Sequence, residues 1–452
     1  MTTPRIPRRA FVGAMAAGAG ALAAAPQSLP AMHRRVLRRP NIVLISADDL
    51  GYGDLSGYGR ADYQTPVLDR LAAEGTRFTQ GYAIAPVCTP TRVGLMTGRY
   101  PARHPVGLHE PLARTPEHLN TGLAASHPTI SSLLRSAGYT NALFGKWHLG
   151  VAPAFHPNRH GFDEFFGPLG GAVDYVAHTT VAGEPDLYHN DRPVQVAGYL
   201  TDLLADEAVR FIGQRREPFF LSHQGTAPHS PWQRRGDPPA GRSTGPYDAG
   251  PADRFPDMVR ALDEAAGRIL VALERAKLVE RTLVIFTSDN GGVRYSSMGG
   301  LAGMKQQLWE GGIRVPMFMR WPGVIPAGVT TTQVATTLDL SATILAAAGA
   351  APAASHPLDG IDLLPILTGS EPVRERSVCW RTSRVTQHRA IRSGRWKRLH
   401  DGEREYLFDL ALDPGERHDR AADEPRRLEG LRGEYEAWER EMLPPLYDGR
   451  AR

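Results

Sequence analysis

The apolar positions of this chain fall into two kinds of run. Residues 41–46 (NIVLIS) form a short, nearly continuous apolar stretch rich in β-branched side chains, and it stops at Ala47-Asp48-Asp49. Such a run reads as a strand buried on both faces, here with two carboxylates at its C-terminal end. Residues 282–287 (TLVIFT) repeat the pattern and end at Asp289-Asn290. Residues 217–222 (EPFFLS) and 141–144 predict two further strands. Between the strands lie amphipathic segments. Thr65-Pro66 opens a helix over 67–74, because proline suits the first helical position. Pro128-Thr129 opens another over 130–137, and 255–278 predicts a long one. Strands alternating with helices give an α/β fold: a large, mostly parallel sheet sandwiched by helices. In open α/β sheets ligands sit at the C-terminal ends of the strands. Asp48, Asp49, Asp289 and Asn290 therefore converge on one crevice, although some 240 residues apart.

The pattern changes along the chain. Residues 224–257 are Pro/Gly-rich and too long for an ordinary connection, so they read as a functional loop. Trp232, Arg234, Arg235 and Tyr247 within it could contact a sugar or face solvent. Residues 348–357 read as a surface linker. After residue 369 short strand-like runs alternate with turn signals, and a charged helix follows over about 424–441. This predicts a catalytic domain over 40–369 and a small C-terminal α+β domain over 370–452, carrying a short antiparallel sheet.

Charge alters the reading only at the N-terminus. The net charge is +4, yet seven arginines and no acid lie in residues 1–40, leaving the rest at −3. The body has no basic surplus that would suit nucleic acid. Arg8-Arg9-Ala10-Phe11-Val12 precedes an Ala/Gly-rich run, the layout of a secretory leader. The paired arginines resemble a twin-arginine signal, which implies export machinery as a partner and a periplasmic or secreted protein. The leader is assigned to residues 1–31. Its apolar run is shorter than the ~20 residues a membrane span needs, and no other segment supplies one. Two cysteines, Cys88 and Cys379, make no disulfide scaffold. Cys379 reads as a small buried hydrophobe.

Cys88 reads differently. In Pro86-Val87-Cys88-Thr89-Pro90-Thr91-Arg92, Pro90 marks the start of a helix. Cys88 then lies at the positive N-terminal end, with Arg92 one turn on. A thiol there is expected to be acidic and reactive; a buried structural cysteine is the plain alternative.

The stretch resembles the sulfatase signature, C-x-P-x-R, through Thr97-Gly98. Other blocks resemble the same family. They are Asp48-Asp49-Leu50-Gly51-Tyr52-Gly53, Gly145-Lys146-Trp147-His148-Leu149-Gly150, Ala227-Pro228-His229-Ser230-Pro231 and Ser288-Asp289-Asn290-Gly291-Gly292, with Lys305 further on. Asn141 and Phe144 depart from the family's usual residues and read as strand-packing positions. The resemblance implies the alkaline-phosphatase-like superfamily and hydrolysis of an aryl or carbohydrate sulfate ester. It implies that a formylglycine-generating maturation enzyme oxidises Cys88. It also implies one Ca²⁺, with Mg²⁺ as an alternative, on Asp48, Asp49, Asp289, Asn290 and residue 88; these are hard oxygen ligands. Formylglycine hydrate at residue 88, aided by Arg92, attacks sulfur. His148 then removes a proton from its second hydroxyl, expelling sulfate. Lys146, Lys305 and His229 bind the sulfate group, and His229 or Lys305 protonates the leaving alcohol. Two other readings stay open: a formylglycine phosphodiesterase or phosphonate monoester hydrolase, and a non-catalytic binder of sulfated glycans in which Cys88 stays a thiol.

Overall fold

The computed structural model describes residues 39–216, 218–241, 250–384 and 386–446. The expected leader over 1–31 and Tyr247 lie outside the described residues. A ten-stranded sheet forms the centre. Its middle five strands, in spatial order Thr282–Ser288, Asn41–Ala47, Phe219–Gln224, Thr140–Gly145 and Glu164–Gly167, run parallel. The sheet is mixed at its flanks. Met317–Arg320 pairs antiparallel with Thr282–Ser288. The physical reason is the connection: residues 289–316 contain only the one-turn helix Glu310–Ile313 and no crossover helix returns the chain to the other end.

The unbroken apolar runs are explained by two covered faces. Along Asn41–Ala47, Val43, Ile45 and Ala47 pack with the helices Pro66–Ala73, Leu200–Gly213 and Arg254–Arg275. Ile42 and Leu44 point the other way, toward the helices Cys88–Thr97, Ile130–Ser136 and Thr337–Ala348. Side chains alternate every residue, so a strand with a helix layer on each face has no polar position to spare. Phe144 packs edge-on against Phe211, and Asn141 donates through Nδ2 to the carbonyls of Ser131 and Gly161. Both residues therefore serve strand packing, as expected.

Four strands, Ser377–Arg381, Arg389–Ser393, Trp396–His400 and Glu405–Asp409, form the predicted antiparallel sheet. One face carries Leu431 and Tyr435 of the helix Pro425–Glu439, with Cys379 buried between. The other face is continuous with the main body: Val378, Trp380 and Leu399 share a core with Tyr82, Leu308 and Leu338. Among the described residues no helix is long and apolar enough to cross a membrane.

Candidate active site

Four neighbouring strands each end at residues singled out by sequence. Thr282–Ser288 leads into Asp289 and Asn290, Asn41–Ala47 into Asp48 and Asp49, Phe219–Gln224 into the loop to His229, and Thr140–Gly145 into Lys146 and His148. Close chain approach makes this possible. Gly145, at φ +125°, leaves no room for a Cβ, which would lie 1.8 Å from the Gln224 carbonyl oxygen.

The helix Cys88–Thr97 aims its N-terminus at the strand ends, with Val87 as cap and Cys88 as first residue. Arg92, one turn on, uses both terminal nitrogens, while its buried Nε has no hydrogen-bond partner. Its Nη2 donates to Asp289 Oδ2 at 2.9 Å and stands 3.6 Å from Asp48 Oδ2. Its Nη1 donates to the Lys146 carbonyl at 2.9 Å and to Gln224 Oε1 at 3.2 Å. Lys146 Nζ donates to Asp48 Oδ2 at 2.6 Å. Lys305 Nζ lies 2.7 and 2.8 Å from the two oxygens of Asp49. His229 Nε2 is 3.6 Å from Asp49 Oδ2, while its Nδ1 donates to the Ser230 carbonyl. Asn290 Nδ2 donates to Asp49 Oδ1, and Asp289 Oδ1 accepts from the Asp49 backbone N–H. Three carboxylates thus interlock with three permanent cations in a buried nest.

That nest sets the charge states. Burial pushes the Asp49 carboxyl up, but Lys305, His229 and Lys146 outweigh it and hold it far below the ordinary range. Burial and the adjacent Asp48 raise Asp289 to about 6 despite Arg92. Burial lowers His229 to about 3 and drops His148 well below its usual value, so both imidazoles are neutral. The expectation of an acidic thiol fails. Burial, with Asp48 and Asp289, raises the Cys88 thiol against the pull of Lys146 and Lys305. The thiol is thus poorly suited to attack as a thiolate, and the helix end does not compensate.

Two buried oxygens in the nest, Asp48 Oδ1 and Asn290 Oδ1, have no hydrogen-bond partner. Ligand atoms of Asp48, Asp49 and His229 lie within 4.8 Å of one another, close enough for the three to share one metal ion. Asp49 and His148 both adopt left-handed backbone, at φ 68° and 58°, a strain of about 1–3 kcal/mol each that clusters here. A narrow crevice with no room for a water molecule, lined by Asp48, Lys146, Gly171, Thr226 and His229 among others, adjoins the nest. Its volume is below the ~300 Å³ typical of pockets that enclose a whole small molecule. A roomier hollow of about 520 Å³, lined by Glu74, Arg320 and Pro322 among others, holds none of these groups.

Several contributors escaped sequence reasoning. Gln224 positions Arg92. Tyr175 Oη lies 2.9 Å from the His229 carbonyl and fixes that loop. Gly171 lies flat on His148, where a Cβ would come within 2.4 Å of the ring. The Leu112 carbonyl faces His148 Nε2. Tyr175 and Gly171 lie in no recognisable block, and a backbone carbonyl leaves no trace in a sequence. Trp232 neither faces solvent nor lines the crevice; it is buried against Tyr295. Arg234 and Arg235 are tied up in ion pairs with Asp257, Asp202 and Glu264.

Comparison with known proteins agrees with this geometry. The Sulfatase family profile matches residues 40–350, and a profile for the C-terminal part of N-sulphoglucosamine sulphohydrolase matches 304–429. The chain is 38% identical to N-acetylgalactosamine-6-sulfatase of Canis lupus familiaris over 380 residues, covering 79% of this chain and 69% of the relative. It is 36% identical to human arylsulfatase A, covering 85% of this chain and 83% of the relative. The crystal structure of Ps i-CgsB in complex with k-i-k-neocarrahexaose superposes with a TM-score of 0.80 at 33% identity, covering 91% of this chain and 95% of that one. With the family profile spanning most of the chain, the protein belongs to the sulfatase family of sulfuric ester hydrolases, within the alkaline-phosphatase-like superfamily.

Proposed function

We propose that this chain is an exported sulfatase that hydrolyses a carbohydrate sulfate ester, using residue 88, oxidised from cysteine to formylglycine, as nucleophile. One observation carries the reading. The Cys88 end of a helix, three carboxylates, one amide and three cations meet where four parallel strands end. The raised thiol supports a chemistry in which sulfur itself does not attack. As its hydrate, the oxidised side chain offers two hydroxyls in place of one thiol.

The donor set fits a hard divalent cation. Asp48, Asp49, Asp289 and Asn290 supply only oxygens, and two of those oxygens are buried without a partner. Bound there, Ca²⁺ or Mg²⁺ would supply Lewis acidity toward the hydroxyl at residue 88 and the sulfate oxygens. Without it the nest is balanced at three charges of each sign, so a cation adds the positive excess that suits an anionic ester.

The remaining roles follow from position. Arg92, held on four acceptors or charges, cannot swing away and lends its charge to residue 88. Lys146 lines the crevice, Lys305 lies on the neighbouring Asp49, and both bind sulfate oxygens. His229 or Lys305 protonates the leaving alcohol. His148, neutral and buried, takes the proton that must leave residue 88 as sulfate departs. The sugar preference rests on the relatives: a named N-acetylgalactosamine-6-sulfatase and a neighbour with a bound carrahexaose. Arg8-Arg9 and the Ala/Gly-rich run support export through a twin-arginine signal to the periplasm or beyond.

Parallel kinetics on the sulfate, phosphate and phosphonate esters of one alcohol test the reaction class. The sulfate ester should have the highest kcat/KM. Faster turnover of the phosphonate would reassign the chain to phosphonate hydrolysis, and binding of sulfated glycans without any turnover would make it a lectin-like binder.

A further inference from the structure

A base works only if its lone pair is on the nitrogen that faces the reacting atoms. In a neutral imidazole, the partner of one nitrogen decides which nitrogen keeps the proton. His148 Nε2 lies 2.9 Å from the Leu112 carbonyl oxygen. A carbonyl can only accept, so Nε2 carries the hydrogen and Nδ1 keeps its lone pair. Nδ1 is buried and has no hydrogen-bond partner. Gly171 closes off the ring face.

Leu112 is itself held from two sides. Its N–H donates to Thr89 Oγ1 at 3.0 Å, and that hydroxyl lies 3.4 Å from the His148 carbonyl, so the neighbour of Cys88 bridges the two segments. Two residues before Leu112, Glu110 is 8% exposed and turns away from the site. Its Oε2 accepts the backbone N–H groups of Ser383 and Arg384, at 2.8 and 3.0 Å. Those residues belong to the connection that follows Ser377–Arg381 in the C-terminal sheet. On the same connection Thr386 Oγ1 donates to the carbonyl of Gln306, the residue after Lys305. The C-terminal sheet therefore touches the site along two routes, one ending at His148 and one at Lys305.

We propose that Glu110 is a positioning residue: by gripping the 383–384 turn it holds the Leu112 carbonyl against His148 Nε2–H and fixes the tautomer in which Nδ1 is the base. The inference rests on the role assigned to His148 above. In the step it serves, a hydroxyl proton moves from residue 88 to His148 Nδ1 as the aldehyde C=O forms and the C–O bond to the departing sulfate breaks, while the other imidazole proton stays on Nε2, hydrogen-bonded to the Leu112 carbonyl. Nothing else changes hands at the imidazole. The C-terminal sheet is then part of the base's support and more than a cover for the core.

The test compares Glu110→Ala with Glu110→Gln in the full chain. Glutamine keeps an acceptor oxygen for both N–H groups and should restore parental turnover. Alanine should lower kcat by about 10–100-fold, the usual cost of removing an outer-shell orienting group, with KM unchanged. Neutron diffraction or ¹⁵N NMR of the parent should find hydrogen on Nε2 and none on Nδ1 of His148. Parental kcat in the alanine variant, equal loss in both variants, or a proton on Nδ1 in the parent would each overturn the proposal. The last result decides the matter even if the alanine variant does not fold. A His148→Ala variant that turns over at the parental rate would instead defeat the assignment of His148 as base, whatever Glu110 does.

Discussion

At the scale of single residues, the site depends on groups whose loss cannot be shared out among neighbours. Cys88 is buried at a helix start and alanine keeps its Cβ, so Cys88→Ala should remove turnover while leaving the melting temperature near the parent's. Activity above background in that variant would refute the nucleophile assignment. Asp289 is linked to Arg92 and to the Asp49 backbone. Asp289→Ala should lose bound metal and activity together, as read by elemental analysis beside kinetics; retained metal would place the ligand elsewhere. Gly171 offers a subtler test. A methyl at that position would meet the His148 ring at 2.4–2.5 Å. At that distance the imidazole must move, and a displacement near 1 Å costs on the order of 10²-fold in rate. Gly171→Ala should therefore depress kcat with little effect on thermal stability, and an unaltered kcat would mean the imidazole is free to retreat.

At the scale of elements, most of the architecture is legible in the chain. The runs at 41–46 and 282–287 are strands within one residue of the expected ends, because a helix layer on each face forces every position to be apolar. The carboxylates sit just past those strands, since a buried strand tolerates charge only where it emerges. Two things were not legible. The antiparallel Met317–Arg320 strand follows from where a loop re-enters, which no local pattern encodes. The support of His148 runs through the backbone of Leu112 and Gly171, where side-chain identity is silent. The loop over 103–126 illustrates a related point. It carries Leu112 and also His104, which packs edge-on against His127. Burial, reinforced by His127 and Arg99, lowers His104 to about 3. The unfolded chain therefore takes up a proton near pH 6.5 that the folded one refuses. Stability contributed by a neutral His104 is complete above that pH and is lost as pH falls toward 3. Relative to a His104→Gln variant, the parent should lose up to about 1.4 kcal/mol per pH unit between pH 6 and 4. Parallel denaturation curves for the two proteins across that range would contradict the burial of a neutral imidazole.

At the scale of the whole molecule, the C-terminal sheet shares an apolar cluster and buried ion pairs with the main body. Lys397, on the sheet, lies 3.0 Å from Glu310 Oε1 and 2.8 Å from Glu416 Oε1, and all three side chains are fully buried. Glu310 begins the short helix that follows the Lys305 loop, and Tyr82 donates to its second oxygen. Removing the shared cation leaves the buried Glu310 and Glu416 carboxyl groups with Arg314, 3.4 Å from Glu310 Oε2, as their remaining cationic partner, so Lys397→Ala should cost about 3–5 kcal/mol of unfolding free energy in denaturant titrations. A loss below 1 kcal/mol would show that the sheet and body do not depend on this ion-pair cluster. The same shared contacts explain why residues from four strands, one helix and a distant loop can be set to within hydrogen-bond distance. The proposed reaction rests on attack of a sulfate ester by residue 88 after its oxidation to formylglycine. Its most direct test is peptide mass spectrometry across residue 88, on protein made beside the maturation enzyme, paired with sulfate release from the same preparations. The expected result is a loss of about 18 Da from the thiol form, with sulfate release rising in proportion to the converted fraction. Sulfate release at full rate from protein whose residue 88 is still an unmodified thiol would contradict it.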